Sequence, residues 1–142
     1  MHGDALVLEQ AAVEVVTAYL DGHDPRYLAE DVTVEVVADG RTWHGRAAAA
    51  ALGHDLRHRL FGDVEEVVTG VYGAGSVVAA ELSFTGRPVD SSGQHAAHDQ
   101  PVTVRAAAVF RVTGGEISST RIYFDTCSLR HAAGTREQRR TR

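Results

Sequence analysis

The sequence predicts an α+β fold in which N-terminal helices pack against a curved antiparallel sheet and enclose a conical apolar pocket. The first twenty residues place apolar side chains at helical spacing, whereas most of the second half consists of long β-branched stretches separated by glycine-containing turns. Helices followed by a run of strands are typical of α+β proteins. We expect one domain over residues 1–130, and we expect the basic segment 131–142 to be a disordered tail.

The first helix is predicted over residues 5–20, with Asp4 as its N-cap and Gly22 as its stop. Pro25 suits the first turn of a short second helix that continues to Ala29. A strand follows over residues 31–38, and an Asp-Gly turn leads into a second strand over 41–44. The apolar stripe of the first helix consists of Leu6, Val7, Ala11, Val13, Val16, Ala18 and Leu20.

A third helix is predicted over residues 46–60, because apolar side chains recur on one stripe before the glycine at position 62. Four strands follow, at about 63–72, 76–86, 101–113 and 116–127. The polar segment 90–98 is predicted to be a hairpin loop. The stripe of the third helix consists of Ala48, Leu52, Leu56 and Leu60.

Composition excludes several classes of function. All 14 basic residues are arginine, so lysine Schiff-base chemistry and a P-loop are excluded. The only cysteine, Cys127, cannot form an internal disulfide or a thiolate zinc site, which favours the cytoplasm. We expect neither secretion nor membrane insertion, because the start lacks a signal-like segment and no apolar run approaches about 20 residues. The net charge of −5 divides into −9 over residues 1–129 and +4 from Arg130 onward, which disfavours nucleic acid.

Side chains alternate across a strand, so the register decides which residues face the pocket. We assume that Gly114-Gly115 is a two-residue turn without irregularity, which pairs Phe110 with Ser119 and Val104 with Asp125. The predicted inner face then contains Val78, Ala80, Leu82, Phe84, Val104, Ala106, Ala108, Phe110, Arg121, Tyr123 and Asp125. The predicted outer face contains Glu81, Ser83, Thr103, Arg105, Val109, Arg111, Thr120, Ile122 and Phe124, with Glu81 and Arg105 as a cross-strand ion pair.

Three segments carry a resemblance to a known family. They read VEVVTAYLDGHDPRYLAEDVTVEV, WHGRAAAAALGHDLRHRLFGD and AVFRVTGGEISSTRIYFD. Over residues 5–130 the chain resembles the SnoaL-like polyketide cyclases of the nuclear-transport-factor-2-like superfamily. The resemblance implies a cone-shaped cystatin-like fold and a cofactor-free enzyme whose substrate is polyketide-like or polycyclic. It also implies an aldol-type cyclisation driven by a general acid/base, and a homodimer.

Asp125 is the main candidate for the catalytic residue. On the assumed inner face, its carboxylate either pairs with Arg121 or reaches solvent at the rim, or else desolvation raises its pKa and makes it a proton shuttle. The resemblance implies that Asp125 is a proton shuttle, because the matching aspartate of the cyclases is their general acid/base.

Tyr19 and His44 are the other catalytic candidates. The segment TAYLDGHD resembles the first-helix tyrosine segment of bacterial ketosteroid isomerases, which implies that the Tyr19 hydroxyl donates to an oxyanion. The alternative for Tyr19 is a place in the core. His44 precedes the third helix and either shuttles protons or lies at a solvent-exposed edge. The predicted substrate-binding residues are Trp43, Phe84, Phe110, Arg121 and Tyr123.

No metal site is expected. His54 and His58 have metal-like spacing but face away from the apolar stripe of their helix, and His95 and His98 lie in the polar loop. Two alternatives stay open for the function. One is a non-catalytic module that binds a hydrophobic ligand. The other is an isomerase, dehydratase or epoxide hydrolase on the same fold, although positions that match the other catalytic groups of such enzymes hold Val36, Glu81, Ser83 and Ala108.

Overall fold

The computed structural model describes residues 2–58, 61–88 and 100–125, and it has one six-stranded sheet in the order β2-β1-β6-β5-β4-β3. All neighbouring strands are antiparallel except β1 and β6, which are parallel. The predicted α+β class with a curved sheet is confirmed. The elements are α1 (His2–Leu20), a 3₁₀ turn (Pro25–Tyr27), β1 (Leu28–Val36), β2 (Arg41–His44), α2 (Arg46–His58), β3 (Phe61–Ala74), β4 (Val77–Pro88), β5 (Val102–Thr113) and β6 (Glu116–Phe124).

The N-terminal elements differ from the prediction at their ends. Helix α1 already begins at His2, so Asp4 lies inside the helix and is not its cap. The short second helix is only one 3₁₀ turn, and Asp24 caps it by accepting a hydrogen bond from the amide of Arg26 at 3.0 Å. Strand β1 therefore begins at Leu28. The predicted loop 90–98, which includes His95 and His98, the residue Cys127 and the predicted tail 131–142 lie outside the described residues.

The predicted faces of β4 and β5 are confirmed, because all six aliphatic and alanine positions of the set lie inward, as do Phe84 and Phe110. The register differs by two residues from the one assumed. Arg105 lies opposite Ser83, and Glu81 lies opposite Ala107, so the predicted ion pair between Glu81 and Arg105 is wrong. Glu81 instead accepts a hydrogen bond from Tyr72, which raises the pKa of Tyr72.

The strand pairing shifts in register at four places, and two of these shifts are single-residue β-bulges at Thr69 and Ser118. Thr69 is an extra residue in β3, and Ser118 is an extra residue in β6, because the pairing shifts by one residue at each position. Both residues have hydroxyl groups that donate to a carbonyl oxygen across the strand pair. Thr69 bonds to the Glu81 carbonyl at 3.2 Å, and Ser118 bonds to the Arg111 carbonyl at 3.1 Å.

The bulge at Ser118 reverses the predicted faces of β6. Thr120, Ile122 and Phe124 face inward and line the pocket, whereas Arg121 and Tyr123 are exposed on the other face. The assumed regular turn is therefore wrong beyond Ile117. The homodimer stays a prediction.

Helix α1 packs closely against β3. Its residues Ala12, Val16 and Leu20 are buried at intervals of four, which is one stripe of the helix. Opposite this helix lies Gly73, where an added Cβ would lie 2.7 Å from Cγ2 of Val13. Glycine at this position therefore allows the helix to approach the strand. Neither described helix is long and apolar enough to cross a membrane.

Candidate functional site

A pocket of about 80 Å³ lies between the inner face of the sheet and the two helices. This volume exceeds the space that one water molecule needs. Hydrocarbon side chains form most of the wall, and the polar side chains are Tyr19, His23, Glu66 and Thr120. The remaining lining residues are Leu20, Leu28, Val34, Ala49, Leu52, Gly53, Leu82, Phe84, Ala106, Ala108, Phe110, Ile122 and Phe124.

Small side chains in the middle of the sheet leave this space open. Ala106 and Ala108 are buried on the inner face of β5, and Ala49 is buried on α2. Larger aliphatic side chains at these positions would occupy the volume between the layers. The pocket thus follows from alanine at inward positions, as well as from the curvature of the sheet.

His23 and Glu66 form a hydrogen-bonded pair in the pocket wall: the Nε2 atom of His23 lies 2.7 Å from Oε2 of Glu66. The side chains are 20% and 15% exposed, so the pair is mostly shielded but reachable by solvent. A carboxylate that accepts a hydrogen bond from one ring nitrogen fixes the orientation and tautomer of an imidazole. This arrangement suits a general base.

The end of α1 positions His23. After Leu20 the chain turns through Gly22, at a φ of 136°, and His23 adopts a left-handed φ of 55°. The amide of His23 donates to the carbonyl of Tyr19 at 2.7 Å, which closes the helix end. A left-handed conformation costs a non-glycine residue roughly 1–2 kcal/mol. The backbone conformation at position 23 would therefore favour glycine, yet the residue there is histidine.

The register of β3 positions Glu66. It lies opposite Phe84 of β4, which faces the pocket, so Glu66 shares the inner face. Its neighbour Glu65 lies opposite Thr85 and is exposed. Sequence reasoning missed both Glu66 and His23. The sequence contains two signals: His23 directly follows the glycine that ends the helix, and Glu66 is one of two adjacent glutamates in a β-branched strand. Neither signal indicates that the two side chains are in contact.

Tyr19 lines the pocket one helical turn before His23 and also packs against the core, so its catalytic role stays a prediction. Its ring packs edge-on against the imidazole of His23, with centroids 5.0 Å apart, and against Phe110 at 6.2 Å. Phe84 and Phe110 also line the pocket, as predicted. Tyr19 therefore links the His23–Glu66 pair to the aromatic part of the apolar wall.

Asp125, Arg121 and Tyr123 do not line the pocket, because the bulge at Ser118 turns them to the outside. Asp125 is exposed at the end of β6, where its amide donates to the carbonyl of Arg105 at 2.8 Å. Arg121 pairs with Glu35 at 3.1 Å, and its guanidinium lies 5.9 Å from the Tyr123 ring centroid. The prediction that Asp125 is a desolvated carboxyl among aliphatic neighbours is wrong.

Trp43 and His44 also lie away from the pocket lining. Trp43 is half-buried and packs against the core, with the guanidinium of Arg41 at 5.3 Å from its ring. His44 is exposed opposite Thr33, which matches the alternative of a solvent-exposed edge. Among the described residues, no three His, Cys, Asp or Glu side chains are grouped to hold a metal ion.

Comparisons with solved structures find the same fold in several bacterial proteins. A SnoaL-like polyketide cyclase candidate from Jannaschia sp. CCS1 is 20% identical, with a TM-score of 0.72, over 88% of this chain and 92% of that one. An epoxide hydrolase of the limonene-epoxide-hydrolase type from M. tuberculosis is 20% identical, with a TM-score of 0.64, over 87% and 90%.

A third solved structure contains a small molecule. This protein from Catenulispora acidiphila has a ketosteroid isomerase-like fold and was solved in complex with trimethylamine. It is 26% identical to this chain, with a TM-score of 0.61, over 78% of this chain and 84% of its own. A comparison with curated proteins finds no match. The model of the SnoaL-like domain matches residues 12–120, which is more than half of the sequence, and the chain therefore belongs to the SnoaL-like domain family.

Proposed function

We propose that the protein is a cofactor-free enzyme that moves a proton on a small apolar carbonyl compound, with His23 as its general base. The observation that carries this proposal is the 2.7 Å contact between His23 and Glu66 in the wall of the apolar pocket. His23 takes the role that the sequence suggested for Asp125, which lies outside this pocket. The family favours a polyketide-like or polycyclic carbonyl compound as the substrate.

The proposed step is a proton transfer from carbon. With Nε2 donating to Glu66, the other ring nitrogen of neutral His23 takes a proton from the carbon next to the carbonyl group. The electron pair of the broken C–H bond forms an enolate, and the imidazolium that results is stabilised by the Glu66 carboxylate. Return of the proton completes an exchange, whereas attack of the enolate on a second carbonyl carbon gives an aldol-type ring closure.

Tyr19 is proposed to stabilise the enolate oxygen. It lines the same wall one helical turn from His23, and a phenol donates a hydrogen bond to developing negative charge. No bound cofactor is required for this chemistry, because the carbonyl group of the substrate itself accepts the electron pair. The hydrocarbon wall favours an apolar body around that carbonyl group and excludes water, which strengthens the polar contacts.

The test uses 2-tetralone, a bicyclic ketone with acidic protons next to its carbonyl group. Proton NMR in D₂O follows their exchange with and without the protein. We expect catalysed exchange by the natural protein and at least about a tenfold lower rate for Glu66→Gln, because the imidazole loses its orienting carboxylate. The matched control is Glu65→Gln, which alters an exposed carboxylate on the other face of the same strand. Equal rates for the two variants would contradict the proposal.

The second candidate function is a non-catalytic binding module for a hydrophobic ligand. The nearly continuous hydrocarbon lining of the pocket favours it. In that case calorimetry would detect binding of 2-tetralone, whereas its exchange in D₂O would proceed at the rate of buffer alone.

A further inference from the structure

Thr120 is a buried polar residue in the pocket wall. It is 7% exposed, and it lies on β6 between Phe110 of β5 and Val34 of β1, both of which also line the pocket. Its neighbours across the sheet and along its own face are thus hydrocarbon. A threonine at the centre of such a surface calls for an explanation, because valine has nearly the same shape without the polar group.

The hydroxyl of Thr120 forms no hydrogen bond with any residue in the ranges that the structure describes. Threonines on the other face behave differently. The hydroxyls of Thr85 and Thr103 lie 2.9 Å apart, and that of Thr113 lies 3.1 Å from the Ser118 hydroxyl. A buried hydroxyl without a partner destabilises a folded protein, so a group that enters the pocket is the natural partner.

Thr120 is well separated from the His23–Glu66 pair. Glu66 lies on β3 and Thr120 on β6, which are three strand spacings of about 4.8 Å apart along the curved sheet. Glu66 and Thr120 therefore belong to different parts of the pocket wall, which allows them to contact different polar groups of one ligand. The polar groups of the mostly hydrocarbon wall are thus the His23–Glu66 pair with the adjoining Tyr19, and Thr120.

We infer that Thr120 determines specificity by hydrogen-bonding a second oxygen of the substrate, a hydroxyl or carbonyl group distant from the carbon that His23 deprotonates. The substrates that we infer for this protein are therefore compact apolar carbonyl compounds with a second oxygen atom elsewhere in the molecule. Sites that hydrogen-bond a substrate oxygen reject analogues without it, since the buried protein group is then unpaired. The inference rests on the proposed function for the reacting carbonyl group, but its test measures binding and needs no turnover.

The test compares 2-tetralone with its 5-, 6- and 7-hydroxy derivatives by isothermal titration calorimetry. We expect at least one hydroxylated isomer to bind the natural protein about fivefold or more tightly than 2-tetralone, as one additional hydrogen bond allows. Thr120→Val removes this preference, and Thr120→Ser keeps most of it. Thr103→Val, which alters a threonine on the other face, leaves the preference unchanged.

Thermal unfolding separates this role from a structural one. Because Thr120→Val removes an unpaired buried hydroxyl at nearly constant volume, we expect a higher Tm for the free protein together with the lost preference. A lower Tm with equal losses for all four ligands means that the hydroxyl is structural, and this overturns the inference. Equal affinities of the natural protein for all four ligands, or binding of none, also overturn it.

The same ligands distinguish this inference from the proposed function. His23→Asn keeps the hydroxyl preference if Thr120 acts as an independent binding group. If the preference persists in the natural protein but catalysed exchange is absent, the proposed function fails and the role of Thr120 stands.

Discussion

The contact between Nε2 of His23 and Oε2 of Glu66, at 2.7 Å, joins the end of α1 to the edge strand of the sheet. The two residues are 43 positions apart in the chain, and β3 is paired with only one neighbour, β4, in the sheet. The pair therefore forms only when α1 packs across the inner face of the sheet. Packing of the helix and formation of the His23–Glu66 pair are thus coupled, and each can be tested by substitution.

Packing of α1 on β3 requires glycine at position 73. An added Cβ would lie 2.7 Å from Cγ2 of Val13 and 3.0 Å from Cγ of Glu9, so Gly73→Ala forces the helix away from the strand. We expect a loss of roughly 1–3 kcal/mol in the free energy of unfolding, measured in urea. The matched control is Gly53→Ala in α2, where a Cβ meets nothing within 4 Å and helix propensity favours alanine. Unchanged stability in Gly73→Ala would contradict this packing.

The bulge at Ser118 determines which residues of β6 face the pocket. Deletion of Ser118 removes the extra residue, so Ile122 and Phe124 either turn outward or lose their present partners on β5, Ala108 and Ala106. We expect loss of cooperative unfolding in circular dichroism. Ser118→Ala keeps the residue count and loses only two exposed hydroxyl contacts, so it should cost no more than about 2 kcal/mol. A deletion variant as stable as Ser118→Ala would show that β6 has no such bulge.

Alanine at position 108 keeps the pocket open. Ala108→Leu adds three carbon atoms to a side chain that is 3% exposed and lines the cavity. We expect at least about a tenfold weaker affinity for 2-tetralone in calorimetry, with an unchanged far-ultraviolet circular dichroism spectrum. Ala107→Leu, on the other face of the same strand, is the matched control. Retained affinity in Ala108→Leu would mean that the ligand binds elsewhere.

The exposed side chains of β6 should not affect binding. Arg121 is 57% exposed and pairs with Glu35, which is 36% exposed, so Arg121→Gln should change the free energy of unfolding by at most about 1 kcal/mol. We expect its affinity for 2-tetralone to equal that of the natural protein in the same calorimetric measurement. A marked loss of affinity would instead support the inward orientation that the sequence first suggested.

Much of the fold could be predicted from the sequence, because apolar periodicity and turn residues identify its elements locally. The inward residues of β4 and β5 follow directly from their alternation, and Phe84 and Phe110 line the pocket as expected. The positions of the site residues could not be predicted from local sequence patterns alone. One extra residue at Ser118 shifts every later pairing, and nothing in the Ser118-Ser119 pair indicates which position bulges.

The contact between His23 and Glu66 could not be predicted either, because it also depends on backbone details that the sequence pattern does not determine. Its formation depends on the left-handed turn at His23 and on the register of β3, which contains a bulge of its own at Thr69. Thr120 was assigned to the outer face by the same one-residue error that placed Asp125 inside. Resemblance to the cyclases identified the family correctly, but the position of the catalytic group depends on register.

The most direct measurement compares His23→Asn with Asp125→Asn in the exchange of 2-tetralone protons. Asparagine tolerates the left-handed backbone at position 23, so this variant removes the base with little strain. We predict that His23→Asn lowers the rate of catalysed exchange by about 10²- to 10⁴-fold, while Asp125→Asn retains the natural rate. The reverse result, with exchange lost in Asp125→Asn and kept in His23→Asn, would contradict the account and restore the last-strand aspartate as the catalytic residue.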